Sequence, residues 1–157
     1  MAQQRMGPSG FQLAGDNSFD DGALDFDSVK NVSIGVREKQ IVFISLTYSR
    51  GEKDQTITHG EQPNENMEIM FEKVGGYCKT VGGIYKRGTP QLPTGYISNL
   101  YFVTSEGQKT ESYVRAAADE SDEAFSFTAD GETQLVGLFG RFGQKGLITI
   151  GALFAPE

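Results

Sequence analysis

One histidine, one cysteine and a run of aspartates are the residues of this 157-residue chain with the most obvious capacity for chemistry: His59, Cys78, and Asp16, Asp20, Asp21, Asp25 and Asp27. A hydrolytic triad needs a nucleophile, a base and an orienting carboxylate, and no serine–carboxylate arrangement lies near His59 in the sequence. One histidine and one cysteine cannot complete an ordinary zinc shell. The aspartate spacing does not follow the calcium-binding EF-hand loop, so it reads as a solvated acidic face. The second acidic run, Asp119-Glu120-Ser121-Asp122-Glu123, reads as an exposed loop on the same grounds. No constellation supplies both nucleophile and base. The expectation is a non-catalytic protein with no metal and no cofactor.

Charge narrows the partners. A formal net charge of -7 argues against a nucleic-acid backbone, which needs clustered lysine and arginine. There is no basic amphipathic helix for an anionic membrane surface and no apolar run of membrane-spanning length. The opening Met1-Ala2-Gln3-Gln4-Arg5 leads into no apolar signal core. Cys78, being alone, makes no internal disulfide. Together these place the chain in the cytoplasm as an expectation, with leaderless secretion left open, and the sequon Asn31-Val32-Ser33 is then expected to stay unmodified.

The elements that must carry any site come from a repeat. The segment Ile41-Val42-Phe43-Ile44-Ser45-Leu46-Thr47-Tyr48-Ser49-Arg50-Gly51-Glu52-Lys53 returns 56 positions later as Ile97-Ser98-Asn99-Leu100-Tyr101-Phe102-Val103-Thr104-Ser105-Glu106-Gly107-Gln108-Lys109. A fainter third copy keeps Leu147, Ile150 and Ala152. Self-similarity at such a period means one supersecondary unit used three times, with the apolar faces buried against one another. The repeated segment is β-branched, aromatic and of strand length, so each unit is a small antiparallel sheet. An all-β fold with three-fold character follows, as one domain over 1–157. Twenty glycines and five prolines suit many strands divided by turns.

Within this plan Val32, Ile34 and Val36 alternate with polar neighbours, which predicts a strand from Val29 to Val36, paired as a hairpin with Ile41–Tyr48. Further strands are expected at 67–71, from Phe125 onward and at 135–139, with Asp130-Gly131 as a turn. Residues 1–18 read as a polar arm or loop, with 1–10 as a flexible arm.

Two segments resemble the signature of the jacalin-related lectins. Phe19-Asp20-Asp21-Gly22 follows the loop Gly15-Asp16-Asn17-Ser18, and Leu135-Val136-Gly137-Leu138-Phe139-Gly140-Arg141-Phe142-Gly143 is similar to the family's penultimate strand and glycine turn. Thr58-His59-Gly60 and Val81-Gly82-Gly83-Ile84-Tyr85 match further family positions in the right order. The resemblance implies a β-prism I fold of three four-stranded Greek-key sheets. It also implies a glycan partner, a mono- or oligosaccharide held at one end of the prism, and homo-oligomerisation is common among such lectins. It gives His59 no catalytic role.

In that family the sugar is held by the first glycine-rich loop, by amides of the last glycine-bearing loop and by an aspartate after a leucine just before the final strand. A carboxylate there accepts from two neighbouring hydroxyls. Carried over, the candidate carbohydrate-binding residues are Gly15, Asp16, Gly143, Gln144, Lys145, Gly146 and Leu147, with Tyr85 as a stacking platform. Tyr85 is equally accounted for by core packing, and Asp16 by a turn with Asn17. The chain departs from the pattern where Leu147 is followed by Ile148, in a loop one residue longer. Ile148 accepts no hydrogen bond, and unpaired sugar hydroxyls would lose several kcal/mol (about 1–3 each). Three outcomes stay open: a dead site, binding through other groups such as Asp16, Gln144 or Lys145, or a register shifted by the inserted residue. Beside the lectin reading stands a β-prism that has lost its sugar and binds a protein partner.

Overall fold

The computed structural model describes residues 4–10, 18–24, 26–37, 40–60, 66–70, 77–88, 90, 95–111, 122–143 and 146–156. Among these described residues twelve strands follow in order: β1 (Gln4–Gly10), β2 (Ser18–Asp20), β3 (Ser28–Arg37), β4 (Gln40–Arg50), β5 (Lys53–Gly60), β6 (Asn66–Met70), β7 (Cys78–Lys86), β8 (Tyr96–Thr104), β9 (Lys109–Glu111), β10 (Asp122–Thr128), β11 (Thr133–Phe142) and β12 (Leu147–Pro156). They form three four-stranded sheets, ordered β5-β4-β3-β6, β10-β7-β8-β9 and β1-β12-β11-β2, and every pairing is antiparallel. Each sheet is a Greek key around a central hairpin: β3–β4, β7–β8 or β11–β12.

The repeat becomes a rule about burial. Ile41, Ile44, Leu46 and Tyr48 point into one shared core; so do Ile97, Leu100 and Phe102, and so do Leu147, Ile150, Ala152 and Phe154. Counted from the first residue of each copy, the buried positions are the same, and Thr104 fills the last place of the second copy at 3% exposure. Simple alternation would send the first and the fourth residue to opposite faces. A β-bulge reconciles them, because the register shifts at Gly35/Val36, at Ile84/Tyr85 and at Arg141/Phe142, opposite the same step of each copy. One extra residue turns both apolar side chains inward and leaves a residue unpaired within the bulge. Those residues are Val42, Ser98 and Ile148, three-fold equivalents of one another.

Sheet closure overturns one expectation. Residues 1–18 read as an arm, yet Gln4–Gly10 is β1 and pairs with β12 from Gln4↔Phe154 to Gly10↔Thr149, while Ser18–Asp20 pairs with β11. The final repeat has only two strands of its own, β11 and β12, so its sheet is completed by β1 and β2 from the N-terminal part of the chain. The segment is polar because it is an edge strand, with Met6 its inward anchor against the core. The expected strands at 29–36, 41–48 and 135–139 are present with longer bounds, and the 67–71 strand runs over Asn66–Met70. The Asp130-Gly131 turn is closed by the Thr133 N–H donating to the Asp130 carbonyl at 3.1 Å.

Candidate functional site

The β11–β12 turn is built from both sides by the core. Phe142 before it and Leu147 after it are buried, and the turn is closed by the Gly143 N–H donating to the Gly146 carbonyl at 2.8 Å. That amide is therefore engaged inside the turn. Leu147 is wholly buried, so any contact it makes beyond the core is through its backbone. Ile148, the bulge residue, is 5% exposed and lies over Gly143: a Cβ on that glycine would stand 3.0 Å from Ile148 Cγ2. The place where a sugar-binding carboxylate is expected holds a packed aliphatic side chain.

Gly143, Gly146 and Leu147 thus come together. Tyr85 lies at the equivalent end of β7, in a different sheet, and its ring belongs to the core. Burial raises its phenol pKa, with the Glu123 carboxylate adding to the rise and Arg87 opposing it. A ring packed this deeply offers no open face for stacking, so Tyr85 takes the packing role. Gly15, Asp16, Gln144 and Lys145 lie outside the described residues.

Beside the turn is a polar network that the sequence did not announce. Asp21 opens a short 3-10 turn, Asp21–Leu24, directly after β2, and is 2% exposed. One of its carboxylate oxygens accepts from the Tyr48 hydroxyl, and the other lies 2.8 Å from His59 Nε2. Since a carboxylate only accepts, Nε2 carries the proton. Phe19 stacks on the imidazole with ring centroids 4.0 Å apart and meets Phe142 at 5.8 Å. The column Asp21–His59–Phe19–Phe142 therefore ties two sheets together under the base of the turn. Gly60, next to His59, has φ +85, and a Cβ there would run into the Val42 carbonyl. Only glycine permits that approach. The one sequence signal was negative: a lone histidine and an aspartate with no local partner, 38 residues apart.

The network makes a testable statement about pH. Burial first, and then the Asp21 carboxylate, hold the Tyr48 phenol well above its ordinary value of 10.0. Burial likewise pushes the Cys78 thiol up from 9.0. In the unfolded chain both groups release protons at their ordinary values, whereas the native state keeps them to higher pH. The native state then binds more protons, so this stability is complete below pH 9 and is lost as pH rises through 9 and 10, by about 1.4 kcal/mol per unit for each group. Urea midpoints between pH 8 and 11 should fall along that course, and Tyr48→Phe should remove the upper part of the slope. A flat profile would contradict the burial assigned to both groups.

The outer face of the same sheet carries a cleft between β1 and β2, floored by β11 and β12 and about 570 Å³ in volume. Pro8 and Phe139 are its apolar walls, Ser18 and Thr149 its hydroxyls, and Asp20 and Arg141 its charges. Arg5 pairs with Asp20 at 2.5 Å and lies 4.1 Å over the Phe139 ring. Among the described residues no group of three His, Cys, Asp or Glu side chains is placed to hold a metal ion.

With the geometry in place, likenesses to known proteins bear on it. The family model of the Jacalin-like lectin domain matches residues 6–153. Myrosinase-binding protein 2 of Arabidopsis thaliana is 29% identical over 142 residues, 90% of this chain and 20% of that protein. Jacalin-related lectin 36 of the same plant is 28% identical over 143 residues, 91% of this chain and 30% of that protein. The chain thus spans less than a third of the length of these relatives. The artocarpin–mannotriose complex superposes with a TM-score of 0.78 at 22% identity, covering 99% of each chain. Wild-type Malaysian banana lectin does so at 0.73 and 23%, covering 99% of this chain and 100% of that one. At these identities the likeness establishes the fold, a β-prism I of three sheets.

Proposed function

The chain belongs to the jacalin-related lectin family, and from that premise we propose that it is a non-catalytic carbohydrate-binding protein with an atypical sugar site. Artocarpin in complex with mannotriose and a mannose-binding lectin from Champedak share its fold, which supports a glycan as the ligand class. The observation that carries the reading is the β11–β12 turn: a glycine turn closed on itself and anchored on both sides in the core, at the end of the prism. The two side chains best suited to nucleophilic or base chemistry are committed to packing. Cys78 is buried with its thiol protonated by desolvation, and His59 is held between Asp21 and Phe19.

Ile148 makes the site atypical. Its equivalents in the other two sheets, Val42 and Ser98, are not carboxylates either, so none of the three related turns offers an acid at this step. The same fact favours a second reading, a β-prism that has given up sugar and binds a protein partner.

A glycan-array screen of the folded protein, run beside Ile148→Asp, separates the two. The parent is expected to give a hit that soluble oligosaccharide competes. The variant should gain affinity for mannose- or galactose-type sugars by about tenfold or more, since each hydrogen bond to a charged group is worth about 1.5–3 kcal/mol. Silence from both proteins, each shown to be folded by its melting transition, would leave the protein-partner reading in place.

A further inference from the structure

The cleft on the outer face of the β1-β12-β11-β2 sheet, about 570 Å³ in volume, has the size of a small-molecule site, roughly 300–1,000 Å³. Its register is defined: on β2, Ser18 stands opposite Arg141 and Asp20 opposite Phe139, while Thr149 faces Arg141 from β12. Among the described lining residues Asp20 is the one carboxylate. Resting on the carbohydrate-binding reading above, we propose that this cleft is a sugar site on the flank of the prism, in which Asp20 accepts hydrogen bonds from two neighbouring hydroxyls of a neutral hexose.

Asp20 is oriented before any ligand arrives. Its Oδ1 accepts from the Gly22 N–H at 3.0 Å, and its Oδ2 accepts from the Arg5 guanidinium at 2.5 Å. An ionised carboxylate has about four accepting sites, two on each oxygen, so each oxygen keeps one for a sugar hydroxyl. The pair is open to solvent, with side-chain exposures of 41% for Asp20 and 49% for Arg5. A hydroxyl can therefore reach the carboxylate and form the stronger, charge-assisted kind of hydrogen bond. Arg5 comes from β1 and lies 4.1 Å over the Phe139 ring, so the acceptor is fixed from the opposite edge of the sheet.

The rest of the cleft suits the rest of a hexose. Ser18 and Thr149 carry hydroxyls that donate as well as accept. Pro8, exposed on β1, gives an aliphatic ring for the C–H face of the sugar. A few convergent polar groups on an apolar wall are what such sites present. The β11–β12 turn is differently equipped. The Gly143 N–H is engaged within the turn, Leu147 is buried, and Ile148 packs on Gly143 away from the cleft lining. The carboxylate missing at 148 is thus supplied by another element, β2.

Calorimetry with methyl α-mannoside, methyl β-galactoside and mannotriose on the parent, Asp20→Asn and Ser18→Phe tests the assignment. Asp20→Asn keeps the shape and gives up the charge, and losing the exposed pair with Arg5 costs the fold little. Ser18→Phe places a ring in the cleft and leaves residues 143–148 untouched. The parent is expected to bind at least one of the three sugars. Asp20→Asn should weaken that binding about tenfold to a hundredfold, and Ser18→Phe should abolish it. Melting transitions of both variants establish that they are folded. If either folded variant binds as tightly as the parent, the cleft assignment is overturned while the carbohydrate reading stands. If no saccharide binds the folded parent, both fall together.

Discussion

Replacing His59 by leucine is expected to lower the unfolding free energy by about 2–3 kcal/mol, the cost of leaving the buried Asp21 carboxylate without one of its hydrogen-bond donors. Asp21 is 2% exposed, and without the imidazole its carboxylate keeps the Tyr48 hydroxyl but loses the Nε2–H donor. Little water can reach it to compensate. Leucine also forfeits the stack on Phe19, through which the column reaches Phe142 and the turn. Replacing the whole network with apolar residues, Asp21→Leu, His59→Leu and Tyr48→Phe together, should recover part of the loss, because no charge is then stranded. Urea denaturation of the single and triple variants reads both effects. A loss below about 1 kcal/mol for His59→Leu would place it in the range of an ordinary surface hydrogen bond and remove the network's structural role.

Deleting residues 1–10 should be more damaging still. A flexible arm could be removed without consequence, but here the deletion takes away β1, its ladder with β12, the inward packing of Met6 and the Arg5–Asp20 pair. Apolar burial at about 1.5–3 kcal/mol for one side chain, with several ladder hydrogen bonds at about 0.5–1.5 each, gives a loss on the order of 5 kcal/mol. The exposed edge of β12 would then be a long apolar strand, Leu147 to Phe154, open to pairing with another chain. A lowered melting temperature with concentration-dependent aggregation is expected. An unchanged melting temperature would mean that β1 adds nothing to the sheet.

Much of the fold was legible because apolar side chains repeat where the core must be. Ile41, Ile97 and Leu147 begin three copies in which the same later positions are apolar, and all of them end in one cluster. Strand-length β-branched and aromatic runs admit few other solutions, which is why the three-fold β architecture could be read from them alone. The family pieces added the Greek-key arrangement and pointed to the β11–β12 turn.

The site was only half legible. The departure at Ile148 is plain in the sequence, but its meaning depends on the bulge that makes 148 the equivalent of Val42 and Ser98. Tyr85 illustrates the converse, since a tyrosine beside glycines suits a sugar platform and a core equally, and only burial separates them. The Arg5–Asp20 and Arg141 charges of the cleft are likewise gathered from β1, β2 and β11 by pairing that no local pattern encodes.

By itself, then, the sequence determined the all-β class, the three repeats, the family and the isoleucine that follows Leu147, because each rests on residue type and local spacing. The tertiary structure alone decided the closing of the last sheet by the N-terminal strands, the joining of Asp21, Tyr48 and His59, and the gathering of the outer cleft from β1, β2, β11 and β12. These depend on contacts between residues far apart in the chain, whose partners are chosen by how the three sheets close around their common core.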